Sequence, residues 1–236
     1  MNVGIAVAWI VFDSDSLTME VDRTSHDLRP MTCELGHLSR SDGSATLTQG
    51  DTTVITSVYG PGDVRISKEI IDKATVEVTY KPKVGLPKCS DKLKERLIRN
   101  TCETLILSGI HPRTGIDIIL QEMQNSGSFL SCCINSACLA LLDASIPLEY
   151  LIAAVTCCIS DKGEITLDPD LKQEKKSVAI VTFVFDSKDF NVVTVSTLGS
   201  FSNEQFQSCL MACREASKHV ITFYRESMLK KLSKSV

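Results

Sequence analysis

A dense group of cations is the part of this sequence best suited to bind a charged ligand. Between positions 81 and 99, seven lysines and arginines are opposed only by Asp91 and Glu95. We call these seven the basic strip: Lys81, Lys83, Lys88, Lys92, Lys94, Arg96 and Arg99. Such a strip can neutralise several phosphates of a single nucleic-acid strand. A solvated helix face beside a basic loop explains it equally well, because Tyr80 is the one aromatic side chain nearby that could stack on bases.

The ten cysteines and four histidines do not follow a metal or disulfide pattern. Cys132-Cys133 and Cys157-Cys158 are adjacent pairs, no C-x-x-C occurs, and the histidines are scattered singly. We therefore expect no metal and no cofactor, and we expect buried, reduced thiols in a reducing compartment. His111 precedes Pro112 in a predicted turn, which favours a surface histidine over a catalytic base.

Composition and missing motifs exclude several classes of protein. With 236 residues and a net charge of -4, the chain is not a histone-like protein that coats nucleic acid, so any such contact must be local. No apolar stretch approaches the roughly 20 residues of a spanning helix, and no membrane association is expected. The sequence also lacks a phosphate-binding P-loop, a dinucleotide-binding glycine pattern, H-E-x-x-H and G-x-S-x-G.

The N-terminal residues 1–27 lack a sustained hydrophobic period and are predicted to be a disordered extension. Val3 to Phe12 resembles a short signal-peptide core, but a basic flank and a small-residue cleavage site are missing, and Met19 is an alternative start. The remaining chain is predicted to form a domain over residues 28–229, followed by a basic tail at 230–236.

Short strands and three helices must position the basic strip. The predicted strands are Ser44–Gln49, Thr52–Tyr59, Ala74–Lys81, Gly115–Met123, Tyr150–Ser160, Glu164–Leu167, Val178–Phe185 and Asn191–Thr197, separated by glycine- and proline-containing turns. Helices are predicted from Ser90 to about Leu107, over Ser131–Ala144, and from Ser202, where Gln205 completes a capping box. This order predicts a single α+β domain.

The first of these helices has an amphipathic pattern. Leu93 and Leu97 fall on one face with Leu105, whereas Lys92 and Arg96 fall opposite. We therefore expect the leucines to pack on a sheet and the cations to face solvent.

Six landmarks in order resemble the RNase PH family. They are Leu28-Arg29-Pro30, Ser41-Asp42-Gly43-Ser44-Ala45, Gln49-Gly50-Asp51-Thr52, Val58-Tyr59-Gly60-Pro61, His111-Pro112-Arg113-Thr114 and Ala140-Leu141-Leu142-Asp143-Ala144. The resemblance spans residues 28 to 229. Within the family, the segments Arg65–Lys73, Arg96–Cys102 and His219–Ser227 look most like a ring subunit of animal RNA exosomes.

The resemblance implies mixed and antiparallel sheets in two βαβ-type halves with packed helices, assembled into six-membered rings. Active members cleave RNA from the 3′ end with phosphate, which they hold with a Gly-Thr-Arg run and a following Ser or Gly. The aligned positions here are Ser128, Phe129, Leu130 and Cys133, which leaves Gly127, Ser128 and Ser131 to receive an anion. Leu130 cannot make the charge-assisted contact of an arginine, so phosphorolysis is expected to be lost.

The acidic pair of active members is also disrupted. Asp168 and Glu174 have the family's separation of six, but Lys175, Lys176 and Ser177 intervene before the next strand. We interpret the spacing as coincidental, or as one surviving carboxylate. Metal-dependent hydrolysis through Asp168, Asp170 and Glu174 is a minority hypothesis, because such acidic loops are usually solvated.

The leading hypothesis is a non-catalytic ring subunit of the RNA exosome that guides single-stranded RNA. The expected RNA-binding residues are Arg40, Lys81, Lys83, Lys88, Lys92, Arg96 and Arg99. Expected partners are other RNase PH-like subunits, RNA-binding cap subunits and single-stranded RNA, with a homodimer when free, in the nucleus, nucleolus and cytoplasm. One alternative is a self-associating nuclease with residual phosphorolytic or hydrolytic activity. The other is a scaffold in which the basic strip is a subunit interface.

Overall fold

The computed structural model describes residues 28–161 and 163–234, so the predicted extension over residues 1–27 lies outside the described residues. Within them lie nine strands and four α-helices. The strands are β1 (Met31–Leu35), β2 (Gly43–Gln49), β3 (Thr52–Asp63), β4 (Thr75–Lys81), β5 (Thr114–Gln124), β6 (Ile152–Ile159), β7 (Ile165–Leu167), β8 (Ala179–Asp186) and β9 (Val192–Gly199). The helices are α1 (Cys89–Leu105), α2 (Phe129–Asp143), α3 (Leu171–Glu174) and α4 (Asn203–Lys234). The predicted α+β class is confirmed.

The strands form two sheets. The first has the order β1-β2-β3-β5-β4, and the second has the order β7-β6-β8-β9. Among the nine described strands, β4 and β5 are the one parallel pair, because α1 connects them as a crossover; the other pairings between these strands are antiparallel. The sheets are therefore mixed and antiparallel, as the family resemblance implies.

Helix α2 is the centre of the core. It packs against β2 and β3 of the first sheet and against β6 of the second, and small side chains such as Ala137 and Ala140 allow this close approach. A buried polar contact fixes its position: Asn135 donates to the Ala154 carbonyl at 2.9 Å and accepts from the Ala154 N–H at 2.8 Å. The Tyr224 hydroxyl of α4 donates to the same amide oxygen at 2.8 Å. One asparagine thus joins α2, β6 and α4.

The predicted orientation of α1 is right for Lys92 and Arg96, which are exposed, and for Leu105, which is buried, but it is wrong for Leu93. Its buried positions include Ile98 and Leu105, but also Asp91 and Glu95, whereas Leu93 is 44% exposed. Two acids can be buried here because each accepts a backbone hydrogen bond: Glu95 from Tyr80 N–H at 2.9 Å, and Asp91 from Lys88 N–H at 2.9 Å. The helix begins at Cys89 with Lys88 as its N-cap, one residue before the predicted Ser90 start.

The capping box predicted for the last helix is confirmed. Ser202 N–H donates to Gln205 Oε1 at 3.0 Å, and Gln205 N–H donates to Ser202 Oγ at 3.3 Å. The helix packs on β6 through buried side chains that include Cys209 and Tyr224, and it continues to Lys234, through residues that the sequence assigns to the basic tail. No helix in the described part of the chain is long and apolar enough to cross a bilayer.

Candidate functional site

The N-terminus of α2 already holds an anion, and that anion belongs to the chain itself. Ser128 N–H donates to Glu174 Oε1 at 2.7 Å. Ser128 has a left-handed backbone (φ 49°), and Gly127 before it has φ +109°. A Cβ on Gly127 would lie 2.3 Å from the Pro169 carbonyl oxygen, so this approach of the two segments requires glycine. The carboxylate therefore takes one of the donor groups that an external anion would otherwise use at the helix N-terminus.

The acidic segment 168–174 folds back onto α2 rather than lying free in solvent. Its single turn, α3, is closed by a capping box between Asp170 and Gln173. Leu171 N–H donates to the Ser126 carbonyl at 2.9 Å and Ser128 Oγ donates to the Pro169 carbonyl at 3.1 Å. These bonds hold Glu174 in position.

The environment of Glu174 opposes its ionisation. Burial raises the pKa of Glu174 above its usual value, and the charge of Asp168 acts in the same direction. The hydrogen bond from Ser128 N–H and the charge of Arg29 partly offset these effects. The folded chain therefore disfavours the ionised form of Glu174 relative to the protonated form.

Asp168 is buried in a bidentate ion pair with Arg29. Arg29 Nη2 donates to Asp168 Oδ1 at 2.7 Å and Nε donates to Oδ2 at 2.9 Å, while the Arg29 backbone N–H adds a third bond at 3.1 Å. Arg29 also bonds the Gly127 carbonyl at 3.2 Å and pairs with exposed Asp170 at 3.2 Å. Asp168 and Glu174, which have the family's separation of six, are thus held by different partners, and both are used within the fold.

The aligned phosphate positions keep little polar character. Phe129 is buried, with its ring edge-on to Tyr80 at 5.7 Å between centroids. Cys133 is also buried, and burial raises the pKa of its thiol well above the usual value. Of this set, Ser128 is the residue with a hydroxyl group; the hydroxyl donates to the Pro169 carbonyl, and the Ser128 backbone N–H donates to Glu174.

Leu130 lies on the wall of a cleft of about 980 Å³ between α1, the start of α2 and the second sheet. Apolar side chains such as Leu97 and Val195 form much of the lining, and Lys94 and Arg96 are its cations on α1. Among the described residues, no group of three or more histidine, cysteine, aspartate or glutamate side chains could hold a metal ion.

The structure brings the basic strip together along one continuous path. Lys81 ends β4, Lys83 and Lys88 lie in the loop before α1, and Lys92, Arg96 and Arg99 are exposed on α1. Lys92 pairs with Glu95 at 2.7 Å and Arg99 pairs with Glu103 at 3.6 Å. Lys94 differs from these, because its ammonium lies 5.3 Å from the ring centres of both Tyr80 and Phe129 and pairs with Asp91 at 3.3 Å.

Arg40 lies away from the basic strip. Arg40 precedes β2, which begins at Gly43. Gly43 pairs with Val58 of β3, Val58 pairs with Ile118 of β5, and Ile118 pairs with Val78 of β4, so these four residues lie side by side across the sheet. Lys81 is three residues further along β4, at the opposite end of the sheet and three strands away. A single RNA contact that includes both Arg40 and Lys81 must therefore span the sheet.

Sequence reasoning missed the role of Arg29. The arginine is part of a landmark, but its partner Asp168 is 139 residues away. No local pattern links the two positions.

Comparison with known proteins assigns both halves of the chain to one family. The model of the 3′ exoribonuclease family, domain 1 (RNase PH) matches residues 27–147, and the model of domain 2 matches residues 150–216. The boundary between them falls between α2 and β6.

Individual relatives agree with this assignment. The chain is 33% identical to the exosome complex exonuclease RRP46 homolog of Arabidopsis thaliana, over 92% of this chain and 100% of that protein. The crystal structure of rice Rrp46 superposes with a TM-score of 0.82 at 35% identity, covering 86% of this chain and 96% of that one. A subunit of an archaeal exosome core shares the fold, with a TM-score of 0.73 at 18% identity over 86% of this chain and 89% of that one.

Proposed function

Because the chain belongs to the RNase PH family of 3′ exoribonucleases, we propose that it is a non-catalytic subunit of an RNA exosome core ring. Relatives named as an exonuclease or a component of the exosome complex, which match 92% and 87% of this chain, support the ring assignment. In this proposal its neighbours are other RNase PH-like subunits and cap subunits. The free chain forms a homodimer, and the protein works in the nucleus, nucleolus and cytoplasm.

The observation that carries the non-catalytic role is the carboxylate of Glu174 on the Ser128 N–H at 2.7 Å. Phosphorolysis needs inorganic phosphate held next to the scissile bond. A phosphate at this position would have to displace Glu174 or lie close to its negative charge and be repelled by it. Leu130 provides no positive charge that would offset this repulsion. Phosphate binding is therefore disfavoured by both repulsion and a missing partner.

Hydrolysis is disfavoured by the second acid. Asp168 is buried and accepts three hydrogen bonds from Arg29, and each of its two oxygens is used within the fold. A catalytic metal needs open carboxylate ligands and room for water. Asp170, 62% exposed, is the acid of this segment that is most accessible to solvent.

The role left to the chain is to assemble the ring and to guide RNA along the basic strip. Lys81, Lys83, Lys88 and Arg96 form no side-chain ion pair among the described residues, although the charge of Lys88 acts on nearby Asp91. These four cations can therefore contact phosphates without breaking an ion pair. Lys92 and Arg99 are paired on the helix and contribute less.

The test is release of nucleotides from an unstructured RNA by the purified full chain, with and without inorganic phosphate and magnesium. We expect neither nucleoside diphosphates nor monophosphates above the level of a buffer control. Phosphate-dependent diphosphate release would overturn the proposal in favour of a phosphorolytic enzyme. Magnesium-dependent monophosphate release that Asp170→Asn abolishes would favour a hydrolytic one.

A further inference from the structure

The loop that joins β4 to α1, Pro82 to Lys88, projects from the fold between two fixed ends. At its start the Pro82 carbonyl accepts a hydrogen bond from Gln121 at 3.4 Å. At its end Lys88 N–H donates to Asp91 at 2.9 Å. Between them Gly85 has φ +87°, and a Cβ built on it would meet no atom within 4 Å. The space beside Gly85 is therefore open, and residues 83–88 are all exposed.

Two aliphatic side chains stand at the tip of this loop. Val84 is 85% exposed and Leu86 is 87% exposed. Both would gain free energy if a ligand covered their apolar surface. Their neighbours Pro82 and Pro87 restrict the backbone, so less conformational entropy is lost when the tip is covered.

The charge of the loop indicates what covers it. Lys83 and Lys88 flank the two aliphatic residues, Lys81 precedes them, and the loop contains no acid. None of these three lysines forms a side-chain ion pair among the described residues. A cationic surface with an apolar tip is complementary to a polyanion that also has flat apolar faces. Single-stranded RNA, with its phosphates and bases, has this chemistry.

We propose that the β4–α1 loop is an RNA wedge, in which Val84 and Leu86 insert between adjacent bases while Lys81, Lys83 and Lys88 contact the flanking phosphates. Aliphatic side chains separate stacked bases in this way in other nucleic-acid complexes. The wedge rests on the proposed RNA contact of the basic strip and goes beyond it, because it assigns the loop an effect on base stacking that a strip of cations alone does not have.

The experiment measures both affinity and base stacking with the full-length chain. The probe is a single-stranded RNA with 2-aminopurine at successive positions, because its fluorescence rises when the base is unstacked. We expect the wild-type chain to raise the fluorescence. Val84→Ser with Leu86→Ser should abolish this rise and weaken binding about tenfold, equivalent to about 1.4 kcal/mol.

Two sets of variants separate the wedge from other effects. Ile66→Ser with Ile71→Ser is the matched control, since these side chains are also exposed (89% and 68%) but lie on another loop; it should keep the wild-type fluorescence rise. Lys83→Gln with Lys88→Gln should lower the magnitude of the salt slope of binding by about 1.4, as expected for two lost phosphate contacts with a single strand. The serine variant of the tip should keep the wild-type slope.

The outcomes distinguish the wedge from the proposed function. If the serine variant of the tip keeps both fluorescence rise and affinity, the wedge is wrong, although weaker binding by the lysine variant would still support the RNA contact. If neither variant changes RNA binding, the RNA contact of the basic strip is wrong as well. If the tip variant instead loses association with a neighbouring ring subunit while RNA binding is unchanged, the loop is a protein interface and the wedge is refuted.

Discussion

Replacing Asp168 with alanine tests whether this carboxylate is a structural partner of Arg29. The change removes three hydrogen bonds, at 2.7, 2.9 and 3.1 Å, and leaves a largely buried guanidinium without its main counter-charge. Removing one partner of a buried ion pair lowers the free energy of unfolding by about 3–5 kcal/mol. For a domain of this size that corresponds to a fall in Tm of about 6–20 °C.

The assay is urea and thermal unfolding of the full chain, arranged as a double-mutant cycle. Arg29→Met should destabilise the chain by a similar amount, because it leaves Asp168 buried without a partner. The double variant Arg29→Met with Asp168→Ala should lose less stability than the sum of the two single changes, since neither charge is then left buried without its partner. As a control, Glu164→Ala removes an exposed carboxylate of the same sheet region and should change stability by less than about 0.5 kcal/mol. A loss below about 1 kcal/mol for Asp168→Ala, or strictly additive single effects, would refute the structural role.

Three further predictions concern the same region and α1. Gly127→Ala should destabilise the chain by about 1–3 kcal/mol in urea unfolding, because of its positive φ and the 2.3 Å approach of a Cβ to Pro169; an unchanged midpoint would contradict this. Burial raises the pKa of Glu174 in the folded chain above its ordinary value of 4.5. The stability of the wild type relative to Glu174→Gln is therefore greatest below pH 4.5 and should fall as the pH rises through the folded pKa. A difference in unfolding free energy that stays constant between pH 4 and 8 would refute this. The bond from Lys88 N–H lowers the pKa of Asp91, so Asp91→Asn should cost about 1 kcal/mol at neutral pH and progressively less as pH falls below 3.8, which unfolding at several pH values would measure.

Local signals were sufficient for most of the architecture. The Ser202–Gln205 capping box starts α4 as predicted, because both hydrogen bonds join residues three apart. The buried face of α1 was predicted only in part, because a periodicity argument places every charged side chain in solvent. Glu95 contradicts that assumption, since the N–H of Tyr80 in a neighbouring strand needs an acceptor. The sequence of a helix alone does not show that a strand packed against it needs a hydrogen-bond acceptor.

The candidate site shows the same division between local and distant information. Leu130 could be identified from sequence as the loss of a phosphate contact, because the change is in one side chain. The use of Asp168 and Glu174 could not, because Arg29 and Ser128 are 139 and 46 residues away from them. A spacing of six was interpreted as a remnant of a catalytic pair or a coincidence. The structure gives each acid its own partner, so these two contacts, six residues apart, fasten one segment at two points.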